Sequence, residues 1–362
     1  MSDRLARLRR LLTARDLDAV LVSEPADVRY LSGFCGDEAV LLLSRHAAFI
    51  GTDSRFWAQV AAEVAGLELV RSEGGEALVA DLLAAWDATG GPEGGSRRLG
   101  FQGDVLAYSG YRRLRHRFDG RLVNVGARVG ALRVVKDSDE LQAMRRAAAI
   151  AEEALEAAVA GGLAGRTERE VAWAIEAAVH RAGGDDLAFP TIVATGPHGA
   201  LPHAIPGDAV MAPGDLVVID MGARLDGYHS DITRTFAVGE VDDDARAVYE
   251  VVLRAQLAGL AAVRDGVACR GVDAAARHVI EDAGYGASFG HGTGHGVGLE
   301  IHEQPRVGRL SGDRLASGAV ITVEPGIYLE GRYGVRIEDT VVVTDGGCER
   351  LTVSAKGLRV VA

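Results

Sequence analysis

Residues 217–236 read VVIDMGARLDGYHSDITRTF and have the pattern of a β-hairpin. A run of β-branched residues leads to Asp226-Gly227, a strong turn signal, and a Thr/Ile/Phe-rich run follows. A turn folded between Leu225 and Asp226 places Asp220 opposite Asp231, with both side chains on one face. Two carboxylates held this close in an apolar strand setting repel each other unless a proton or a cation lies between them. One exposed Asp and one capping Asp is the alternative that these residues leave open.

A second hairpin pattern near the C-terminus carries a second acidic pair. Residues 319–328 read AVITVEPGIY and residues 333–344 read YGVRIEDTVVVT. A turn centred near Gly331 makes Glu324 and Glu338 cross-strand neighbours. Glu338 interrupts an otherwise apolar run, where a lone charge is costly.

A glycine-rich segment between the two hairpins supplies histidines. Residues 289–303 read FGHGTGHGVGLEIHE, so that His291, His295 and His302 are its sizeable polar side chains besides the acids. Four carboxylates and one neutral histidine carry a charge of about −4, which two divalent cations would neutralise. Oxygen ligands with one imidazole suit Mn²⁺, Co²⁺ or Zn²⁺. The pattern therefore predicts a two-metal centre.

Composition and charge narrow the class of protein. The chain has 362 residues, of which 48% are hydrophobic and 25% charged, as in an ordinary globular protein of two domains. A net charge of −12 argues against nucleic acid and anionic membranes as partners. No stretch has the length of a membrane span, and the N-terminus lacks the apolar core of a signal peptide. Three cysteines without metal-ligand spacing indicate reduced thiols in a cytoplasm.

The first part of the chain, residues 1–128, alternates between helix and strand patterns and predicts an α/β domain. Strands are predicted at 19–22, 39–43, 48–50, 99–101 and 122–125, and helices at 55–65, 77–88 and 105–118. Gly90–Ser96 is predicted to be a flexible surface loop, because it lacks the strand-loop-helix register and the Lys-Ser/Thr ending of a phosphate-binding loop.

Residues 129–362 combine hairpins with helices and predict an α+β domain with a curved, mostly antiparallel sheet. The predicted helices cover 138–160, 167–182, 242–264 and 272–283. A capping box, Thr167 to Glu170, opens the second of them.

The motifs together resemble those of the pita-bread metallopeptidases, most closely the proline dipeptidase (prolidase) and aminopeptidase P branch. The matching segments are Ile219–Gly222, Gly227–Thr235, Gly294–Gly298, Ile301–Glu303, Glu324–Gly326 and Arg336–Asp339. The resemblance implies a creatinase/aminopeptidase-like pita-bread domain at 129–362 and a smaller creatinase-type α/β domain at 1–128.

The resemblance also implies roles for residues at the centre. Five would bind two divalent metals, with Mn²⁺ expected and Co²⁺ or Zn²⁺ as alternatives: Asp220, Asp231, His295, Glu324 and Glu338. A hydroxide bridging the metals would attack the scissile carbonyl. Thr233 and Arg336 would support the ligands, with Arg336 orienting the bridging carboxylates, although a plain strand residue and a surface cation are the alternatives.

Substrate contacts follow from the same resemblance. His203 and His302 would hydrogen-bond the carbonyl oxygen and the developing oxyanion, and Glu324 would carry a proton to the leaving proline nitrogen. Arg306 resembles a clamp for the free carboxylate of a dipeptide. Tyr228 would line the pocket or simply favour the strand after the turn.

The implied function is hydrolysis of Xaa-Pro peptide bonds in small peptides, with dipeptides favoured over the longer substrates of an aminopeptidase P. A metal-free creatinase-like hydrolase and a non-catalytic binding module are alternatives on the same scaffold, and the intact ligand set argues against both. A homodimer is expected, as is usual in the family.

Overall fold

The computed structural model describes residues 2–90 and 97–361. The chain divides into two compact units, Met1–Arg133 and Val134–Ala362, a division that lies shortly after residue 128. Apart from Gly90, the predicted surface loop at 90–96 lies outside the described residues. No helix in the described part of the chain is long and apolar enough to cross a membrane.

The N-terminal unit is a mixed α/β layer, as the sequence predicts. Its described strands are β1 (Ala19–Val22), β2 (Val40–Ser44), β3 (Ala48–Thr52), β4 (Glu68–Arg71), β5 (Arg98–Phe101) and β6 (Arg121–Asn124). They form one sheet in the order β4-β3-β2-β1-β5-β6. Its helices are α1 (Ser2–Ala14), α2 (Pro25–Ser32), α3 (Trp57–Glu63), α4 (Gly75–Ala88) and α5 (Tyr108–Arg117). The sequence analysis missed α2 and β4, which are short and have no long apolar period.

The helices of the C-terminal unit are α6 (Ser138–Val159), α7 (Glu168–Arg181), α8 (Asp243–Ala262) and α9 (Cys269–Asp282). The predicted capping box of α7 is present, since the Thr167 side chain accepts from the Glu170 amide and the Glu170 side chain accepts from the Thr167 amide. Asp137 and Glu140 form the same motif at α6. These caps satisfy amides that the first helical turn leaves without partners.

The strands of the C-terminal unit are β7 (Asp186–Leu187), β8 (Ile192–Thr195), β9 (Leu216–Met221), β10 (Ala223–Leu225), β11 (Tyr228–His229), β12 (Ile232–Val238), β13 (Gly294–Gly296), β14 (Glu303–Val307), β15 (Val320–Val323), β16 (Gly326–Leu329), β17 (Tyr333–Arg336), β18 (Asp339–Val343), β19 (Cys348–Arg350) and β20 (Arg359–Val361). The main sheets run β20-β12-β9-β8 and β14-β13-β15-β18-β19. Their pairings are antiparallel except for β12 with β20, which agrees with the predicted α+β class.

The first hairpin has a different register from the predicted one. Asp220 pairs with Thr233, so its predicted pairing with Asp231 is wrong. The reason is the turn: Asp226 and Gly227 both have positive φ, and Leu225 pairs with Tyr228 around them. This two-residue turn is centred one residue later than predicted. Asp231 still shares a face with Thr233, because side chains alternate along an extended chain.

The second hairpin has the predicted register. Val323 pairs with Asp339 in one ladder, and Gly326 pairs with Arg336 in the next. Glu324 and Glu338 lie in register with each other in the gap between these two ladders. Both residues therefore lie at the break between the two ladders.

Candidate metal centre

The five predicted metal ligands lie at or beside the ends of strands. Asp220 is the second-last residue of β9, and His295 lies within β13. Asp231 and Glu338 directly precede β12 and β18, and Glu324 directly follows β15. Where the ladders break, backbone hydrogen bonds to distant residues fix the chain. The Glu338 amide donates to the Thr233 carbonyl over 3.1 Å, and the Glu324 amide donates to the Thr293 carbonyl over 2.8 Å. The backbone at these breaks is thus satisfied while the side chains converge.

Three of the five side chains offer ligand atoms that lie within 4.8 Å of one another, namely Asp231, His295 and Glu338. Glu324 joins this group, because its Oε1 is 3.4 Å from His295 Nε2. His295 Nε2 lies 3.5 Å from Asp231 Oδ2. Asp220 is held by a 2.6 Å ion pair with Arg336 Nη2.

The electrostatic coupling places Asp220 in the same cluster. Burial raises the pKa of Asp231 far above its ordinary value, and the charges of Glu338, Asp220 and Glu324 raise it further. Burial likewise raises the pKa of Glu338, with Glu324 and Asp220 adding to the effect. Burial raises the pKa of Glu324 to about 8, and the charge of Asp220 acts in the same direction. In the absence of a cation, these carboxyl groups therefore retain protons well above their ordinary range.

His295 is neutral and has a defined tautomer. Burial lowers its pKa to about 4, with the charge of His302 as the next cause. Its Nδ1 lies 3.1 Å from the Gly296 carbonyl, and a carbonyl can only accept, so Nδ1 carries the proton. The lone pair of Nε2 then faces the oxygens of Asp231 and Glu324, as expected of an imidazole that binds a cation.

This donor set fits divalent metal ions. Among the described residues, Asp220 Oδ1 and Glu338 Oε1 are buried side-chain oxygens without a hydrogen-bond partner. Buried polar atoms are nearly always satisfied, so two orphaned oxygens in one acidic cluster call for cations. Hard carboxylate oxygens with one imidazole match the preferences of first-row divalent ions.

Thr233 and Arg336 lie beside the cluster. The Thr233 hydroxyl donates to Glu338 Oε2 over 2.7 Å and accepts from Arg336 Nε over 3.2 Å. Arg336 thus contacts Asp220 directly and reaches Glu338 through Thr233. Arg336 is 3% exposed, so the alternative of a surface cation is excluded.

Arg234 and Thr322 brace the ligands as well, a role the sequence did not indicate. Arg234 donates from Nη1 to the backbone oxygens of Glu338 and Thr233, and its Nη2 lies 2.8 Å from Asp339 Oδ1. The Thr322 hydroxyl accepts from the His295 amide over 3.1 Å and donates to Glu324 Oε1 over 3.2 Å. Thr322 lies two residues before Glu324 and hence on the same strand face, which is the signal that would have identified it.

Of the predicted substrate-side residues, His302 and Arg306 lie beside His295 of the cluster. The rings of His302 and His295 are 4.3 Å apart between centroids. Partial desolvation lowers the pKa of His302; the charge of Asp220 opposes this shift, and the charges of His203 and Arg306 add to it. Arg306 is exposed and pairs directly opposite His295 in the β13–β14 ladder. His203 is an exposed residue of the loop before β9.

Tyr228 has mainly structural contacts. Its hydroxyl donates to Glu140 Oε1 of α6 over 3.0 Å, and its side chain packs against a buried hydrophobic cluster that includes Met144 and Val297. These contacts favour the second of the two readings of Tyr228, that of a strand residue after the turn.

His291 and Tyr328 are residues at the centre to which the sequence analysis gave no role. The Tyr328 hydroxyl lies 2.9 Å from His291 Nε2 and accepts from Arg336 Nη1 over 2.8 Å. Burial raises the pKa of Tyr328 to about 12, so the hydroxyl keeps its proton. Tyr328 lies four residues after Glu324 in a β-run, and this spacing could have placed it on the same face.

For the metal-dependent activity that the sequence resemblance implies, replacing Tyr328 by Phe is expected to lower kcat about tenfold with unchanged metal content, because Arg336 loses a hydrogen bond worth about 1.5–3 kcal/mol for a charged donor. Tyr333→Phe is the matched control, since the Tyr333 hydroxyl is buried without a hydrogen-bond partner among the described residues. The measurement is steady-state kinetics together with metal analysis. Equal kcat in the two variants would contradict the role of the Tyr328 hydroxyl.

Comparison with protein families places both parts of the chain. Residues 142–345 match the model of metallopeptidase family M24. Residues 4–135 match the creatinase/prolidase N-terminal domain.

Individual relatives match over nearly the whole length. The Xaa-Pro dipeptidase of Pyrococcus furiosus is 35% identical over 361 residues, which cover 99% of this chain and 100% of the relative. The solved Xaa-Pro dipeptidase from Bacillus anthracis superposes with a TM-score of 0.94 at 37% identity, covering 99% of each chain. An X-Pro aminopeptidase from Thermotoga maritima has a TM-score of 0.87 at 36% identity, covering 96% of this chain and 98% of its own.

Proposed function

The chain belongs to metallopeptidase family M24, has the pita-bread fold with a creatinase-type N-terminal domain and is a prolidase-type peptidase; from this premise we propose that it cleaves the peptide bond before proline, with Xaa-Pro dipeptides as favoured substrates. The observation that carries the proposal is the convergence of four carboxylates and a neutral His295 in one buried cluster with orphaned oxygens. The named dipeptidase relatives supply the preference for proline.

We propose that two divalent cations, Mn²⁺ by preference, are held by Asp220, Asp231, His295, Glu324 and Glu338. Such cations, when bound, supply Lewis acidity, which polarises a carbonyl and lowers the pKa of a coordinated water. They also offset the burial and the mutual repulsion that otherwise raise the pKa values of Asp231 and Glu338. Arg336 and Thr233 fix the orientation of Asp220 and Glu338.

The protein side chains then handle the substrate and the proton. Glu324 accepts the proton that the attacking water loses as its oxygen bonds to the carbonyl carbon, and delivers this proton to the proline nitrogen as the C–N bond breaks, because the nitrogen of a tertiary amide leaves poorly unless it is protonated. His302 and His203 donate hydrogen bonds to the carbonyl oxygen, on which negative charge develops. Their location supports this role, since His302 packs against His295 and interacts electrostatically with His203.

The experiment that tests the function compares hydrolysis of Ala-Pro, Ala-Pro-Ala and Ala-Ala at equal concentration with added Mn²⁺. Rapid cleavage of Ala-Pro, with Ala-Ala left intact, is the expected result. If none of the three peptides is hydrolysed, the proposal is wrong. Cleavage of Ala-Pro-Ala at an equal or higher rate would favour an Xaa-Pro aminopeptidase, the second candidate, which the similarity to the Thermotoga maritima enzyme supports.

Arg306 is proposed to bind the free carboxylate of the dipeptide. Its exposed side chain lies opposite His295 and influences His302, so that it is available to a bound peptide. Arg306→Ala is expected to raise KM for Ala-Pro by about 10–100-fold, because a charge-assisted hydrogen bond contributes about 1.5–3 kcal/mol.

Two controls sharpen this measurement. Ala-Pro-amide lacks the carboxylate, so its kinetics should be the same with and without Arg306. Arg309→Ala removes another exposed arginine of the same region and should leave KM for Ala-Pro unchanged. If Arg306→Ala raises KM equally for Ala-Pro and Ala-Pro-amide, Arg306 does not bind the carboxylate.

We also propose a cytoplasmic homodimer. Cys35, Cys269 and Cys348 are free thiols, which fits a reducing compartment. We expect the dimer because members of the family are usually dimeric. Light scattering of the purified protein tests this expectation through the molar mass in solution.

A further inference from the structure

A buried ion pair on α9 lies outside every role assigned so far. Asp273 and Arg277 are one helical turn apart and are 1% and 5% exposed. Arg277 Nε lies 2.8 Å from Asp273 Oδ2, and Arg277 Nη2 lies 2.9 Å from Oδ1. This bidentate geometry compensates each buried charge.

Arg277 directs its other donors to the glycine-rich segment that precedes β13. Nη1 donates to the Phe289 carbonyl over 2.9 Å, and Nη2 donates to the His291 carbonyl over 2.7 Å. The guanidinium also lies 4.0 Å from the centroid of the Phe289 ring. Because the guanidinium is a rigid planar fork, it fixes both carbonyls relative to α9.

Asp273 binds the next alternate residue of the same segment. Its Oδ1 accepts from the Thr293 amide over 3.1 Å and from the Thr293 hydroxyl over 2.9 Å. The Thr293 carbonyl in turn accepts from the amide of Glu324. The pair therefore connects α9 to residues 289, 291 and 293, and through Thr293 to a proposed metal ligand.

The segment needs such anchors because Gly290 and Gly292 alternate with the bound residues. Glycine adds no side-chain contacts and leaves the backbone with more freedom than any other residue. At Gly292 a Cβ would lie 3.0 Å from the Val307 carbonyl oxygen, so the close approach of β14 leaves little room for a side chain there. External bonds must then supply the rigidity that the side chains cannot.

We propose that Asp273 and Arg277 are positioning residues of the metal centre. They hold residues 289–293 so that His295 presents Nε2 to the carboxylates and His291 reaches Tyr328. They act through the backbone of this segment, and the inference rests on the proposed metal assignment.

Arg277→Lys tests the proposal, because lysine keeps the charge but cannot bind Asp273 and both carbonyls in a planar fork. The probe is Co²⁺, whose affinity and visible absorption are measured with the full-length protein. We expect the Kd for Co²⁺ to rise about 10–100-fold, as is typical when a partner of a metal ligand is lost, and the visible spectrum to change. Arg166→Lys is the matched control, since Arg166 donates to the carbonyls of Ala158 and Gly162; it should lower Tm without altering Co²⁺ binding.

Thr293 gives a second test that does not disturb the ion pair. Thr293→Val conserves volume and removes the hydroxyl, and it should weaken Co²⁺ binding about tenfold, whereas Thr293→Ser should keep the wild-type affinity. Wild-type affinity and spectrum in both Arg277→Lys and Thr293→Val would overturn the positioning role alone. A wild-type protein that binds no Co²⁺ would overturn the metal centre and this inference with it.

Discussion

Replacing Asp231 by Asn is expected to lower the rate of Ala-Pro hydrolysis by at least about a thousandfold while leaving the metal-free protein as stable as wild type or more stable. Asparagine keeps the shape but cannot ionise, at a position where burial and the neighbouring carboxylates disfavour the charged form of Asp231. The loss of activity follows from weaker metal binding, since bound cations contribute several kcal/mol of charge stabilisation in the transition state. The measurements are metal content, kcat/KM and Tm without metal.

A matched substitution separates this effect from a general sensitivity to Asp-to-Asn changes. Asp226→Asn alters an exposed residue of the β10–β11 turn with positive φ, which Asn also adopts readily. It should change neither activity nor Tm appreciably. An Asp231→Asn protein that still holds two tightly bound metals would sink the assignment of Asp231 as a ligand.

Removal of metal by a chelator is expected to abolish activity and to make stability fall as the pH rises from 6.5 to 8. Glu324 has a folded-state pKa of about 8, and the pKa values of Asp231 and Glu338 are also raised. In the unfolded chain, such groups ionise near pH 4. Between these limits the folded state holds protons that the unfolded chain has already lost, so raising the pH lowers the free energy of unfolding.

The expected slope is measurable. Each such proton corresponds to about 1.4 kcal/mol per pH unit, which lowers Tm by roughly 3–5 °C in a domain of this size. The depressed pKa values of His291 and His295, both about 4, act below this window, because an unfolded histidine titrates near 6.5. Added Mn²⁺ should restore activity and raise Tm. If the chelated protein keeps both full activity and an unchanged Tm, the acidic cluster is not a metal centre. An equal Tm at both pH values would contradict the raised carboxyl pKa values.

Local patterns in the sequence carry much of the fold. The bounds of β1 were predicted correctly, because a short apolar run flanked by polar residues permits few alternatives. The capping box at Thr167 was equally readable. The register of the second hairpin was predicted correctly, because glycines mark its turn. This register places Glu324 opposite Glu338, between the two ladders.

The first hairpin shows where this local reasoning fails. A displacement of the turn by one residue changes the partner of Asp220 from Asp231 to Thr233, and a turn dipeptide alone does not say which bond is central. The contacts of Arg234 with Asp339 and of Asp273 with Thr293 were likewise out of reach, because each depends on a residue of a distant strand or loop. Such partners arise from tertiary packing, which the hydrophobic periodicity of a single segment does not predict.

The breaks between ladders have a consequence for how the protein acquires its centre. Thr233 and Glu338, joined by a side-chain hydrogen bond, are 105 residues apart in sequence, and Arg234 bridges the same separation to Asp339. Contacts of such long range form only after much chain entropy has been lost. Neither hairpin alone contains the whole donor set, so a nascent or partly folded chain has only fragments of it. In the proposed metal centre, tight binding of cations would therefore report that the C-terminal unit has reached its native topology, and it would stabilise that topology by mass action.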